Sequence, residues 1–411
     1  MIKKIQIKDL CHINSNLDGD TFVGIKVDAD DVSVHFPIGY QLSENENGIR
    51  SDIITLISVL KEYTERENRV LQKNKFNEKE TIDFPINAYL EVIEYYLNFG
   101  YYNESKAVYK TGTKGTINWP RTFKYQIPLV QQNGSFVYTQ MSVRTFAPQE
   151  GNLITKIHQY CVYESIKKMG WLYGLNATER PPIEFNENLF VSVLYNKLLN
   201  TYNDRQKKLF TAMIDMITYM DKRPNEKQLY YGTNRFEYVW ESLIDTIFGE
   251  KNKSDYFPKA EWKIRKGKRI DSSALQPDTI MKWDGKLYVI DAKYYKFGIT
   301  GYENHLPNSS SINKQITYAE YIDKYIKVDN KKIFNAFLMP FNSEKNCFGT
   351  KKTFENIGEA TGKWRKSSKP KNYDRVQGIV MNTKTLLNGQ QGNSQNYYKK
   401  ELANCIEKGF E

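Results

Sequence analysis

Two aspartates and a lysine that could carry out metal-dependent hydrolysis lie in one short stretch of the sequence. Asp278 opens the stretch, and Asp291 and Lys293 end it, separated by Ala292. Carboxylate oxygens bind hard cations such as Mg²⁺, and a bound cation activates water and stabilises charge on a phosphate. A neighbouring lysine can hold or deprotonate the attacking water. These residue types predict phosphodiester hydrolysis, with Asp278, Asp291 and the backbone carbonyl of Ala292 as metal ligands.

An antiparallel hairpin is expected to bring these residues together. Asp284-Gly285 separates the apolar runs Thr279–Trp283 and Leu287–Lys293, and this dipeptide between two such runs is a strong hairpin signal. Side chains alternate along a strand, so Asp291 and Lys293 share a face. Charges at the end of a strand buried on both sides are costly unless they are neutralised, which favours a bound cation. The alternative is a plain hairpin carrying a surface Asp-Lys pair.

The elements around this hairpin predict a mixed α/β core with a central mixed sheet flanked by helices. Helices are expected at 236–248, 312–326 and 397–408, and further strands at 261–265, 333–340 and 376–382. The charged, proline-containing segment 221–228 is a reasonable boundary, although a loop between two helices is nearly as plausible. We therefore predict a nuclease domain at 221–411.

The first part of the chain has a different pattern, mixing strands and helices. Strands at 21–27 and 32–37 precede a helix over 51–73, the region 105–150 is extended, and long helices are expected at 153–169, 189–202 and 206–220. The pattern predicts an α+β domain at 1–220 for partner docking or DNA binding, without deciding between the two.

The hairpin segment resembles the PD-(D/E)xK nuclease motif, represented by Pro277-Asp278 and Asp291-Ala292-Lys293. The resemblance implies an additional glutamate on an upstream helix, for which Glu237 and Glu241 are candidates, four residues apart on one face. Either could instead be a solvated charge. It also implies a glutamine on the following helix, which is Gln315; the accompanying tyrosine, Tyr318, stands three residues on rather than four.

The wider chain resembles the LlaJI-type restriction endonucleases, which are McrC-like nuclease subunits of GTP-dependent restriction systems. The blocks Lys114–Phe123 and Tyr231–Glu241 carry this resemblance together with the nuclease core. It implies a Mg²⁺-dependent, type II/IV-like endonuclease of antiviral defence that depends on a separate McrB-like AAA+ GTPase. The sequence is compatible, because the nearest approach to a P-loop, Gly358–Lys363, has the wrong glycine spacing and is followed by Trp364.

The charge of the chain favours a polyanionic partner. Lys+Arg 59 against Asp+Glu 48 gives a net charge of +11, and phosphate binding by basic residues releases condensed counterions. Basic runs are often only solvated faces, but two of them flank the hairpin, and we assign them to contacts with the backbone of double-stranded DNA. Their candidate residues are Lys263, Arg265, Lys266, Lys268, Arg269, Lys363, Arg365 and Lys366.

Cysteine and histidine spacing argues against a zinc ribbon or finger. The four cysteines include no pair at a two-residue spacing, and Cys11-His12 has no sequence neighbours at the spacing of metal ligands. The N-terminus has no signal-peptide pattern, and no apolar run approaches the length of a membrane span. A cytoplasmic protein without membrane contact is expected.

Two other functions are compatible with the same residues. A stand-alone repair or transposition nuclease would use the same chemistry without a motor. A non-catalytic DNA-binding or assembly protein could keep a nuclease-like fold, although such a protein would be free to lose Asp278, Asp291 or Lys293. Cutting both strands of DNA requires two active sites, so a homodimer or higher assembly on DNA is expected.

Overall fold

The computed structural model describes residues 6–17, 19–27, 32–71, 85–148, 152–176, 179–222, 229–265, 267–326, 328–329, 332–364, 371–389 and 395–410. The chain forms two compact units. The terminal unit combines Met1–Asp83 with Lys227–Glu411, and the central unit is Phe84–Glu226.

The terminal unit begins with three short strands and a long helix. Their bounds are β1 (Cys11–Ile13), β2 (Val23–Val27), β3 (Val32–Phe36) and α1 (Glu46–Leu71). These elements confirm the strands expected at 21–27 and 32–37, and the helix expected at 51–73 is confirmed as far as Leu71; residues 72 and 73 lie outside the described residues.

The central unit is built from helices and a small antiparallel sheet of order β4-β8-β5. The expected helices at 153–169, 189–202 and 206–220 are present. The region expected to be extended, 105–150, holds short strands but is interrupted by helix α3, whose first turn is capped by the Asn118 side chain and carries Pro120; residues 149 and 150 lie outside the described residues. The elements are α2 (Ile86–Phe99), β4 (Ser105–Gly112), β5 (Thr116–Ile117), α3 (Trp119–Tyr125), β6 (Leu129–Val130), β7 (Phe136–Val137), β8 (Met141–Pro148), α4 (Leu153–Tyr173), α5 (Glu187–Leu199) and α6 (Asp204–Lys222).

The rest of the terminal unit holds the elements expected around the hairpin. They are β9 (Leu229–Thr233), α7 (Phe236–Phe248), β10 (Glu261–Lys263), β11 (Arg269–Asp271), β12 (Thr279–Trp283), β13 (Lys286–Ala292), α8 (Phe297–Thr300), α9 (Ser309–Tyr321), β14 (Ile333–Phe341), β15 (Phe354–Thr361), β16 (Arg375–Asn382), α10 (Thr383–Asn388) and α11 (Gln395–Glu407). A π-helical turn, Ile322–Ile326, extends α9. Strand β15 was not expected, because its polar, partly exposed sequence lacks an apolar alternation.

A five-stranded mixed sheet forms the core of this unit, in the order β12-β13-β14-β16-β15. The two outer pairs are antiparallel, whereas β13, β14 and β16 run parallel to one another. Every residue of β14 is buried, as expected for a central parallel strand covered on both faces. The mixed α/β prediction is confirmed at this level.

Helices cover both faces of the sheet. Leu287 and Val289 of β13 pack with Ile316 and Ala319 of α9 in one apolar cluster. On the opposite face, the Tyr288 hydroxyl donates a hydrogen bond to Glu407 of α11, and α11 in turn contacts α7. Helix α7 is held there by an apolar stripe at helical spacing: Phe236, Val239, Trp240, Leu243, Ile244, Ile247 and Phe248 are all buried.

The domain boundary expected at residue 221 needs correction, because the first 83 residues belong with the C-terminal half of the chain. Strand β9 pairs with β2 over Val23↔Thr233 to Val27↔Leu229 and completes a second sheet of order β1-β3-β2-β9. The Ile38 amide also donates to the Tyr294 hydroxyl at 2.8 Å. Such long-range pairing leaves no signal in local sequence, so a linear division was the natural but wrong inference.

None of the helices in the described residues is both long and apolar enough to cross a membrane.

Candidate active site

The hairpin β12–β13 brings Asp278 beside the end of β13. Thr279 is paired with Ile290, so Asp278 lies opposite Asp291 across the ladder. The Ala292 amide donates to Asp278 Oδ2 at 2.9 Å. The two aspartates are thirteen residues apart in the sequence, and the tight turn between the strands brings them together at one end of the sheet, as the sequence predicted.

Lys293 and Asp291 form a close ion pair on one face of the strand. Lys293 Nζ lies 2.6 Å from Asp291 Oδ2, and the Asp291 side chain is almost completely buried. Burial lowers the pKa of Lys293, but the charge and hydrogen bond of Asp291 outweigh this effect and raise it. Lys293 is therefore a protonated cation at neutral pH.

Contacts with the backbone fix the position of Asp278. Lys253 Nζ donates to the Asp278 carbonyl oxygen at 2.6 Å and to Asp245 Oδ1 at 2.7 Å. The Thr279 hydroxyl donates to the same Asp245 oxygen at 3.3 Å. Helix α7 thereby anchors the start of β12 through Asp245 and Lys253, two residues that sequence reasoning missed because their partners lie far along the chain.

Of the two candidate glutamates on α7, Glu241 is the one that interacts with the charges of the site. Burial, together with the charges of Asp291 and Glu237, raises the pKa of Glu241 despite the opposing charge of Lys293. Glu237 lies one turn earlier, and its carboxylate accepts a hydrogen bond from Arg235 Nε at 3.2 Å. Glu241 therefore interacts electrostatically with both Asp278 and Asp291, whereas Glu237 is paired with Arg235.

Negative charge accumulates around Asp278. Burial and the nearby carboxylates of Asp291 and Glu241 raise the pKa of Asp278, and the charge of Lys293 only partly opposes them. Mutual repulsion of this kind is what a bound cation relieves. The donor set consists of carboxylate oxygens, with the Ala292 carbonyl at the strand end, and hard cations such as Mg²⁺ prefer all-oxygen sites. The residues present fit such an ion.

Helix α9 supplies a second cation and a buried amide. Burial lowers the pKa of Lys314, but a hydrogen bond with Tyr318 and the charges of Asp291 and Asp278 raise it. Lys314 is thus an additional positive group of the site that the sequence interpretation did not assign. The feature of the sequence that could have indicated Lys314 is its position directly before the candidate Gln315.

Gln315 is enclosed between the helix and the sheet. Its amide nitrogen donates to the Val289 carbonyl at 2.6 Å and lies 3.5 Å from that of Ala336, and the side chain is 1% exposed. Tyr318, on the same helix, donates to the Gln276 carbonyl at 2.9 Å. Both residues hold the strands and the segment before Asp278 in place, so the geometry gives Gln315 a positioning role.

The two basic runs are only partly described. Lys266, Arg365 and Lys366 lie outside the described residues. In the first run, Lys263 and Arg269 contact Glu261 at 3.3 and 3.8 Å. The remaining members, Arg265 and Lys268 from the first run and Lys363 from the second, are exposed and form no ion pair within the described part of the chain.

The P-loop candidate and the two sequence blocks that carry the family resemblance lie in different structural settings. Gly358–Thr361 is the end of strand β15, whereas a phosphate-binding P-loop connects a strand to a helix. In the central unit, the Lys114–Phe123 block spans β5 and most of α3, with Trp119 exposed. Tyr231–Glu241 covers the end of β9 and the start of α7, the helix that carries Glu241.

Sequence comparisons with known proteins identify relatives of this chain. The model of the LlaJI restriction endonuclease family matches residues 22–359. The type II restriction enzyme BsuMI component YdjA from Bacillus subtilis (strain 168) is 26% identical over 276 residues, which cover 61% of this chain and 56% of that protein. The chain therefore spans little more than half the length of this relative.

Among solved structures, the chain is similar to a half-complex from a tetradecameric assembly of Thermococcus gammatolerans McrB AAA+ hexamers with bound McrC. The TM-score is 0.36 at 14% identity, over 94% of this chain and 83% of that one. The family match, in contrast, includes the hairpin with Asp278, Asp291 and Lys293 and extends over most of the sequence. The chain belongs to the LlaJI restriction endonuclease family.

Proposed function

We propose that this chain is the DNA-cleaving endonuclease subunit of a restriction system, with a PD-(D/E)xK site formed by Asp278, Asp291 and Lys293. The observation that carries the proposal is the meeting of these three side chains at the end of one hairpin. Asp291 is buried and within 2.6 Å of Lys293, and Asp278 is fixed by the Ala292 amide. Family membership supports the same reaction class.

Asp278 and Asp291 would hold Mg²⁺, with Glu241 and the Ala292 carbonyl as further oxygen donors. The ion, when bound, would polarise the scissile phosphate and lower the pKa of the attacking water. Binding it would also relieve the repulsion that raises the pKa values of Asp278 and Glu241.

Lys293 would act as a cation at the scissile phosphate. Its raised pKa favours hydrogen-bond donation to the attacking water and to the developing negative charge over proton abstraction. Lys314 would add a second positive group on the side of α9. Lys253, Asp245, Gln315 and Tyr318 would keep the strands in register so that these groups hold their geometry.

A separate motor subunit completes the proposal. In this proposal, GTP is bound by a partner of the McrB-like AAA+ class that the family resemblance implies. The curated relative is named as a component of a restriction enzyme, which fits a division of labour. Two copies of this chain would be needed on DNA to cut both strands.

Plasmid cleavage by matched aspartate variants tests the active site. Asp291→Asn should reduce cleavage by roughly 10³-fold while DNA binding is retained. A loss of this size corresponds to about 4 kcal/mol of transition-state stabilisation, since each 1.36 kcal/mol changes the rate tenfold. The control is Asp284→Asn in the exposed turn of the same hairpin, where asparagine tolerates the left-handed backbone. Cleavage that survives Asp291→Asn would exclude this site.

The reaction should be run with Mg²⁺ or EDTA, and with and without the AAA+ partner and GTP. Cleavage that requires the partner and GTP supports the motor-dependent system. Full activity of the chain alone indicates a stand-alone nuclease, and DNA binding without cleavage under every condition indicates a non-catalytic protein.

A further inference from the structure

A second group of metal-ligating side chains lies in the N-terminal sheet of the terminal unit, outside the proposed active site. It consists of His12, Asp20 and His35. One ring nitrogen of each histidine and one carboxylate oxygen of Asp20 all lie within 4.8 Å of one another. The sequence offers Cys11-His12 no partners at metal-ligand spacing, whereas the fold brings partners to His12 from positions eight and 23 residues further along the chain.

The pairing of β1 with β3 creates this group. The two strands are parallel, and His12 lies directly opposite His35 in the register, so the two imidazole rings stand on the same face with centroids 5.3 Å apart. Asp20 is brought to them by a turn closed by a bridge between Leu17 and Asp20. Its Oδ1 lies 2.9 Å from His12 Nε2.

Hydrogen bonds from outside the group orient its members. The backbone amide and the hydroxyl of Ser15 both donate to Asp20 Oδ2, at 2.7 and 2.6 Å. The Ser33 hydroxyl contacts His35 Nε2 at 3.1 Å. The other ring nitrogen of His35, Nδ1, is buried and has no hydrogen-bond partner among the described residues. Ligands of transition metals are held by such secondary hydrogen bonds, which fix the ring and the tautomer.

We propose that His12, Asp20 and His35 bind a divalent transition-metal ion of the Zn²⁺ type. Two imidazoles and one carboxylate are a common Zn²⁺ donor set, whereas Mg²⁺ prefers oxygen ligands alone. With metal–ligand distances of about 2.0–2.1 Å, tetrahedral donors are roughly 3.4 Å apart. Donor atoms already within 4.8 Å reach that spacing through small side-chain rotations.

The ion would tie the turn before β2 to the edge of the sheet, at the exposed strand β1. Its effect would therefore be structural: binding to the folded state stabilises that state in proportion to the logarithm of the free metal concentration. The proposal is independent of the nuclease function, since none of the three residues belongs to the hairpin site.

Metal content of the full chain provides the first test. In the Asp291→Asn background, which removes an active-site ligand, the chain should retain one Zn²⁺ per molecule after desalting, and Co²⁺ in its place should give the visible absorption of a four-coordinate ion. His12→Gln should lose both. His305→Gln is the matched control, because His305 is a partly buried histidine of the same unit that contacts Thr300. Equal Zn²⁺ content in His12→Gln and His305→Gln would overturn the proposal.

A charge variant gives a test that unfolding cannot mimic. Lys26 acts electrostatically on His35 from the neighbouring strand, and its positive charge opposes a bound cation. Lys26→Gln should therefore tighten Zn²⁺ binding by a few-fold, measured by competition with a chromophoric chelator. Unchanged or weaker binding in Lys26→Gln would contradict the assignment. Loss of DNA cleavage in Asp291→Asn with Zn²⁺ still bound would show that the two sites are separate.

Discussion

At the scale of single residues, the charge state of the hairpin site depends on how its members are buried together. Asp291 and Lys293 neutralise each other at 2.6 Å, while Asp278 and Glu241 keep raised pKa values because their negative charges are close and poorly solvated. The site is therefore electrostatically incomplete without a cation, although its side chains are already in place.

Replacing Lys293 should affect catalysis more than DNA affinity. Lys293→Met keeps the length and apolar stem but removes the charge, so we expect the single-turnover cleavage rate to fall by roughly 10²–10³-fold with a DNA dissociation constant within a few-fold of the parent value. Lys293→Arg should recover little, because a planar guanidinium does not reproduce a compact ammonium. A large loss of DNA affinity with a normal cleavage rate would argue against the assigned role.

The raised pKa of Asp278 predicts a pH-dependent stability. The pKa increases from 3.8 to about 8 on folding, so the metal-free folded state binds this proton more tightly than the unfolded chain does. The free energy of unfolding should therefore decrease as pH rises through that range. In EDTA, Asp278→Asn should melt at a higher temperature than the parent protein at pH 8, and the difference should vanish near pH 4.

Mg²⁺ supplies the control for this measurement. Added Mg²⁺ should raise the melting temperature of the parent protein at pH 8 more than that of Asp278→Asn, because the ion replaces the proton. Identical melting curves of the two proteins in EDTA at pH 8 would show that folding does not raise the pKa of Asp278.

At the scale of elements, the hairpin turn sets the register that places Asp278 opposite Asp291. Asp284 and Gly285 have φ angles of 47° and 68°, the left-handed pair of a two-residue hairpin turn. Because this turn fixes the pairing from Trp283↔Lys286 to Thr279↔Ile290, its chemistry determines which residues meet at the far end of the strands.

Gly285→Ala should therefore destabilise the protein, by about 1–2 kcal/mol, since a Cβ is disfavoured in the left-handed region. The expected decrease in melting temperature is roughly 2–8 °C. Gly285→Asn should cost less, because asparagine tolerates that conformation. If alanine and asparagine are equally tolerated, the turn conformation does not limit stability.

At the scale of the whole molecule, the net charge of +11 favours DNA, and the β10–β11 hairpin presents part of that charge beside Trp262, which is 69% exposed. Lys263 and Arg269 share Glu261, which reduces their effective charge. Arg265 and Lys268 have no such carboxylate within the described residues, so they are the better candidates for phosphate contacts.

Replacing Arg265 and Lys268 together by glutamine should weaken DNA binding equally for all sequences. The slope of log K against log salt should become shallower by roughly 0.9 for each lost phosphate contact, or about 1.8 in total. Lys263→Gln with Arg269→Gln is the comparison, with a smaller expected change. An unaltered salt slope in the first variant would remove this hairpin from the DNA interface.

The sequence by itself determined the hairpin, the meeting of Asp278, Asp291 and Lys293 at its end, and the mixed α/β core, because these depend on local patterns: strand alternation, a turn dipeptide and helical apolar spacing. Only the tertiary structure decided which residues from distant parts of the chain lie together. It selected Glu241 over Glu237, added Lys314 and Lys253, enclosed Gln315, and gathered His12, Asp20 and His35. It also placed the first 83 residues with the C-terminal half. These outcomes arise from strand pairing and helix packing between segments far apart in the chain, which adjacent residues do not encode.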